Sequence, residues 1–328
     1  MTMKKGVFTV SLDFELYWGL RDKRTISEYE ANLKGVKKAI ERMLELFDKY
    51  EIHVTWATVG FLFAQDIDEL KGLFPKQRPS YDNDNLNPYN YILDSDILES
   101  YCHFTPEIID KVRTYKNQEI GTHTLSHYYC LEKGQSSEQF SSDIEVAIEI
   151  AKKMDIRIKS LVFPRNQWNN EYLSVLAEHG ITSYRGNERG WLYKAVNGSD
   201  EKLLRRALRL MDSYFNITGA NSYSQKSIGT KKPFNIPSSR FLRPVSKRFS
   251  RFEGLRKQRI IKSLKRAAKN QEIFHLWWHP HNFGVNIDDN IEFLDVILSS
   301  FRDLKAQYGM ESLNMGEISD LISDEEKV

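Results

Sequence analysis

The histidine pair in Gly121-Thr122-His123-Thr124-Leu125-Ser126-His127 is the part of this chain best suited to chemistry. Residues at i and i+4 share a helix face, so His123 and His127 reach one divalent ion if the segment turns helically. Near the N-terminus, Asp13-Phe14-Glu15 puts two carboxylates on the same side of a strand, because alternate side chains point the same way. Two inward carboxylates repel unless a cation or a shared proton offsets them. That predicts a division of labour between a metal ligand and a general base. Far downstream, Trp278-His279-Pro280-His281 adds two imidazoles, one of them a candidate proton donor to a leaving group. These are the parts of a metal-dependent hydrolase.

The pattern around these residues supplies the elements that must position them. Val7 to Leu12 reads as a buried strand, and Glu28 to Tyr50 as a helix with Leu33, Val36, Ile40, Leu44 and Phe47 on one face. Ile52 to Thr58 returns to strand character, and residues 72 to 104 read as a long polar loop. Thr105-Pro106-Glu107 opens the next helix, with proline in its first turn. Further strands are expected at Glu119 to Gly121, Lys159 to Phe163, Ile181 to Tyr184 and Ile273 to Trp277. Between and after them, Ser136 to Met154, Asn169 to His179, Arg256 to Asn270 and Asp288 to Tyr308 are helical. Alternating strands and helices predict a parallel sheet. The chemical residues follow Leu12, Gly121, Phe163 and Trp277, each the end of an expected strand, which is where α/β barrels build their sites.

At 328 residues the chain can bury a large core. Hydrophobic content of 41% with 28% charged residues excludes wholesale disorder. No stretch approaches the length of a membrane-spanning helix, and the N-terminus lacks the apolar core of a signal peptide. Cys102 and Cys130 do not make a disulfide framework and read as reduced thiols, so the expected location is cytoplasmic.

The motifs resemble those of the polysaccharide deacetylases of carbohydrate esterase family 4. Glu119 to His127 is similar to that family's His-Thr/Ser-x-x-His motif, and Val54-Thr55-Trp56-Ala57-Thr58-Val59-Gly60 to the strand after its first helix. The resemblance covers about residues 5 to 190 and 270 to 320. It implies a single domain over residues 1–328, a distorted (β/α) barrel, with 195–270 as an inserted basic helical segment. It also implies removal of an N-acyl group, acetyl above all, from an amino sugar in surface polysaccharide or O-antigen (lipopolysaccharide) biosynthesis. Carried over, Glu15, His123 and His127 would hold a divalent metal, most often zinc. Asp13 would act as base, Arg165 would orient it, and His279 would protonate the departing amine. The family form has adjacent Asp-Asp, so the Asp-Phe-Glu order leaves open which carboxylate joins the histidines, or whether the site is metal-free. Trp18, Trp168, Trp278 and His281 are the expected sugar contacts, since aromatic faces stack on sugar C–H surfaces. Deformylation, hydrolysis of a non-sugar amide, or an inactive carbohydrate- or membrane-binding module are the alternatives.

Residues 231–269 fall outside the resemblance and carry fourteen Lys or Arg against one acid, Glu253. Such a segment suits an anionic ligand or surface: the phosphate of a nucleotide- or lipid-linked sugar, or the inner membrane leaflet. No nucleic-acid recognition motif accompanies the charge, so nucleic acid is not an expected partner.

Overall fold

The computed structural model describes residues 5–198 and 200–325. Nine strands build one sheet: β1 (Val7–Phe14), β2 (Val54–Thr58), β3 (Gln118–Thr122), β4 (Ser160–Val162), β5 (Ser183–Arg185), β6 (Phe234–Asn235), β7 (Arg240–Phe241), β8 (Ile273–Trp278) and β9 (Glu311–Ser312). Their order is β6-β5-β4-β3-β2-β1-β8-β7, with β9 added to β1, and all of these pairings are parallel. The sheet curls until its two end strands are separated by only residues 236–239 of chain. Among the described residues β6 and β7 do not pair, so this is a (β/α) barrel left open at one seam.

Strand β1 is buried along its whole length, as a central parallel strand must be when helices cover one face and a lumen the other. Phe8, Val10, Leu12 and Phe14 point outward into the main core, where they join Leu33, Val36, Ile40, Leu44 and Phe47 of the helix Ile26–Tyr50. That helix starts at a reciprocal cap in which Thr25 accepts from the Glu28 amide and Glu28 accepts from the Thr25 amide. A second cluster joins Val7, Val162, Phe234 and Ile273 to Met315 and Ile318 of the helix Met315–Glu325. The amides of Met315 and Gly316 donate to Thr55 and Glu119 near the starts of β2 and β3, so this helix plugs the N-terminal end of the lumen. The opposite end, at the strands' C-termini, is left for polar side chains.

One expectation is corrected. The stretch 72–104 is not one loop: it holds the helices Pro88–Leu93 and Ser100–His103, with Tyr89, Ile92 and Phe104 in the main core. Segments of one or two turns are too short to show a helical period. The basic segment 195–270 is built into the barrel. It contributes β6 and β7 to the sheet, and its helix Glu253–Asn270 buries Ile260, Leu264, Ala267 and Ala268.

Candidate metal centre and active site

Glu15, one residue beyond β1, turns its carboxylate into the mouth of the barrel. Its Oε2 lies 2.9 Å from His127 Nε2 and 3.3 Å from His123 Nε2. One donor atom from each of the three residues falls within 4.8 Å of the other two, and all three side chains are buried. His123 Nδ1 hydrogen-bonds the Val162 carbonyl at 2.8 Å, which fixes the ring and leaves Nε2 facing the carboxylate. That Nε2 is buried with no hydrogen-bond partner, an expensive state for a polar atom unless something else engages it. A carboxylate and two imidazoles with an orphaned inward nitrogen fit a divalent ion.

The histidines converge without a helix. Thr124 and His127 both adopt left-handed backbone conformations, at φ 67° and 60°, so residues 123–128 form a loop. A β-branched residue tolerates that region only where its surroundings over-determine it. Here they do: the Leu125 amide donates to Asp143 at 2.6 Å, and the Ser126 hydroxyl donates to the same carboxylate. The Gly60 and Phe61 amides take the carbonyls of Thr124 and Leu125, and a Cβ on Gly60 would run into Leu125. The expected helical i,i+4 pair is therefore replaced by a pinned loop that reaches the same convergence.

Asp13 is not in the triad. Arg185, the last residue of β5, donates to both of its oxygens, Nη1 to Oδ1 at 2.6 Å and Nη2 to Oδ2 at 2.8 Å. Arg185 also donates to Ser11 and Asn166, and its guanidinium lies 4.1 Å from the Trp277 ring centroid. Burial by itself would push the Asp13 carboxyl up, but Arg185, with His123 and His279 beside it, holds it below its ordinary value. Burial opposes ionisation of Glu15 too, yet His279, His127 and His123 keep its carboxyl well below the usual range. For His127 and His281 burial wins: it pushes His127 down to about 4 and His281 down to about 3.

His279 stands at the open side, with Nε2 3.4 Å from Glu15 Oε1 and 3.8 Å from Asp13 Oδ2. Phe241 and Trp277 flank its ring edge-on, each with centroids 5.7 Å away. His281 stacks behind it at 5.2 Å and is buried, so it supports His279 and does not present a sugar contact.

Arg165 does not orient Asp13. Its guanidinium pairs with Asp22 and sits 4.3 Å over the Tyr129 ring, because Arg165 and Asn166 both take left-handed conformations that swing the side chain to the rim. Two of the expected aromatic contacts are core residues. Trp18 is wedged among Phe61, Tyr91 and His103, and its indole N–H donates to the His103 carbonyl. Trp278 faces outward onto Phe47 and Phe283. Strand alternation puts its neighbour Trp277 in the mouth instead, with the indole N–H on Glu188 at 3.1 Å. Trp168 is half-buried and, with the exposed Trp191, lines a groove of about 610 Å³ beside Asn187 and Glu188. Sequence reasoning missed Arg185, Ser11, Glu188 and Trp277. The usable signal for Arg185 was an arginine just past the extended run Ile181 to Tyr184.

Residues 32–184 match the family model described as polysaccharide deacetylase. That segment resembles the polysaccharide deacetylase family, whose members are hydrolases that act on amide bonds. It contains His123 and His127, while Asp13, Glu15 and His279 are brought to them by the fold. No curated sequence matches the chain. Among solved structures, a protein assigned to the polysaccharide deacetylases from Mycobacterium smegmatis is similar at 11% identity and TM-score 0.60, over 99% of this chain and 92% of that one. A GH57-type branching enzyme from the archaeon Pyrococcus horikoshii is similar at 11% identity and TM-score 0.54, over 96% and 70%. The Puue allantoinase reaches TM-score 0.53 at 12% identity, over 96% and 89%. At these identities the likeness is one of fold, and it agrees with the open barrel.

Proposed function

We propose that the protein is a zinc-dependent N-deacylase that removes an acetyl group from an amino sugar, with the sugar carried on a phosphate as a nucleotide- or lipid-linked precursor of surface polysaccharide. The observation that carries the reading is the convergence of Glu15, His123 and His127 directly beside an Asp13 gripped by Arg185. Glu15, His123 and His127 would hold the ion, whose chemistry when bound is to polarise the amide carbonyl and make water more acidic.

The chain's own groups supply the proton transfers. Asp13, kept ionised by Arg185, takes a proton from the water as its oxygen bonds to the carbonyl carbon. The C–N bond then breaks, and the amine nitrogen takes a proton from His279, the site imidazole on the open side. The products are a carboxylic acid and a free amine. Trp277 and Phe241 shield His279 from water on two sides, and the groove at Trp168 and Trp191 offers flat faces for the sugar rings.

The deciding experiment pairs metal analysis of the purified protein with acetate and formate release from N-acyl sugars. Stoichiometric zinc, lost in His123→Ala and His127→Ala, together with acetate release abolished in Asp13→Asn, is the expected result. Formate without acetate selects the deformylase. Sugar binding without release of either acid would mean a binding module.

A further inference from the structure

The helix Leu203–Tyr214 is anchored on one side and bare on the other. Asp212 is buried and receives Arg240 at 2.9 Å, Arg259 at 2.8 Å and the Tyr193 hydroxyl at 2.7 Å, which fixes the helix's rotation. Leu204, Met211 and Phe215, spaced so as to share one stripe, are 71%, 50% and 54% exposed. Leu203 beside them is 79% exposed, across a groove walled by Tyr214 and Phe249 lies Phe252, 47% exposed, and in the adjoining hollow beside Tyr214 and Phe215 lies Leu255, 44% exposed. Single exposed apolar side chains are ordinary; six gathered on two adjoining segments mark a surface built to be covered.

The rim of this patch is cationic. Lys247, Arg248 and Arg251 are exposed and form no ion pair among the described residues. A second copy of the chain is a poor cover, since two like faces would bring these cations together. No helix among the described residues is long and apolar enough to cross a membrane, which leaves lying on a surface as the mode of contact.

We propose that the face formed by Leu203–Ile217 and Lys247–Leu255 docks on an anionic lipid bilayer, its apolar side chains entering the headgroup boundary and its cations meeting lipid phosphates. Each such cation strengthens attachment by about fivefold. The basic segment at 231–269 supplies only part of this surface, since its helix Glu253–Asn270 turns Ile260 and Leu264 into the core. The face runs into the catalytic mouth. Leu210 lines both the apolar groove and a cleft of about 540 Å³, whose far wall is Trp277 and Phe241 beside His279. Arg243 lines that cleft with no ion-pair partner among the described residues. Resting on the amide-hydrolase reading, this continuity favours a lipid-linked over a nucleotide-linked sugar, its phosphate at Arg243 and its acyl chain left in the bilayer.

The test is co-sedimentation with vesicles of phosphatidylcholine alone or mixed with phosphatidylglycerol. Wild type is expected to partition onto the mixed vesicles at least about tenfold more than onto the neutral ones. Leu204→Ser with Phe252→Ser, and separately Arg248→Glu with Arg251→Glu, are expected to lower that partitioning by about tenfold or more. Ile97→Ser, at a residue 83% exposed elsewhere on the molecule, is the control and should change nothing. Absence of wild-type binding to mixed vesicles overturns the proposal, as does undiminished binding of the Leu204/Phe252 variant. So does a dimer in sedimentation velocity that the same substitutions dissociate. Acyl release from a water-soluble N-acetyl sugar, unchanged in the docking variants, keeps the two readings separable. If vesicle binding holds and no acyl group is released from any sugar, the deacylase reading fails and the docking surface stands.

Discussion

Arg185 grips Asp13 through both carboxylate oxygens, at 2.6 and 2.8 Å, across 172 residues of sequence. Both side chains are buried, so each neutralises a charge that the barrel mouth would otherwise reject. The fork of the guanidinium also fixes the plane of the carboxylate, which a lysine would not do.

Removing that grip has a predictable sign. Asp13 is held below its ordinary value by Arg185 against the upward push of burial, so loss of the arginine lets burial dominate and the carboxyl rises. A base that must be ionised is then lost earlier on acidification, at a pH where the wild-type carboxylate is still charged. Arg185→Lys should move the acid limb of the kcat/KM profile upward and lower its plateau. Arg185→Ala should in addition destabilise the fold by about 3–5 kcal/mol, because a buried carboxylate is left unpaired. A pH–rate series on both variants, with urea unfolding, measures the two effects. An acid limb unmoved in Arg185→Lys would remove Asp13 from the role of base.

Gly19 tests Glu15 in the same way. A Cβ at Gly19 would overlap the Glu15 carboxylate, and the backbone there is one that alanine accepts. Gly19→Ala is therefore expected to displace that carboxylate from His123 and His127 while leaving the partly exposed turn around it folded. Metal affinity should fall by about 10- to 100-fold, the size of effect seen when the support of a ligand is lost. Titration with a competing chelator reads the affinity, and an unchanged melting temperature of the metal-free protein separates this from general damage. Retention of full affinity would mean that Glu15 is not a ligand.

How far the sequence shows this site depends on the range of each signal. The helix Ile26–Tyr50 is legible because a cap at Thr25 and an apolar period of three to four residues both act locally. The pair His123 and His127 is legible as a spacing, but not as a loop: its left-handed turns are imposed by Asp143 and Gly60 from other elements. Arg165 is the nearer partner for Asp13 on paper only because its motif follows a strand. Which arginine reaches Asp13 is set by where β5 ends and by the turn at Arg165 and Asn166, neither of which has a periodic signature. β6 and β7, two residues each, are invisible for the same reason.

Acid should weaken the fold through a histidine remote from the metal centre. His103 is fully buried, its Nδ1 on the Glu99 carbonyl and its Nε2 on the Tyr91 hydroxyl, and burial pushes its pKa down to about 4. A depressed value means that the unfolded chain takes up the proton first. The stability contributed by burying the neutral ring is whole above about pH 6.5, the unfolded value. It is lost as pH falls from there towards about 4. Over that window the loss is on the order of 2 kcal/mol. Urea midpoints between pH 7.5 and 4.5 should fall in wild type and fall less steeply in His103→Gln. Parallel slopes for the two proteins would mean that the ring is protonated in the fold.

The tryptophans divide into two kinds, and substitution should show it. Trp278 is fully buried on the outer side of β8, packed against Phe47 and Phe283, so Trp278→Ala opens a cavity in the main core. The expected cost is about 3–5 kcal/mol. Trp18, closed in by Phe61 and His103, belongs with it. Trp168 is half-buried on the groove it shares with Trp191, and Trp168→Ala removes a flat face and little core. Its expected effect is a severalfold rise in KM for an N-acetyl oligosaccharide, with stability changed by less than about 1 kcal/mol. Urea unfolding and steady-state kinetics on the same three variants decide it. A Trp18→Ala protein that stays stable and loses only substrate affinity would put that residue back in the sugar site.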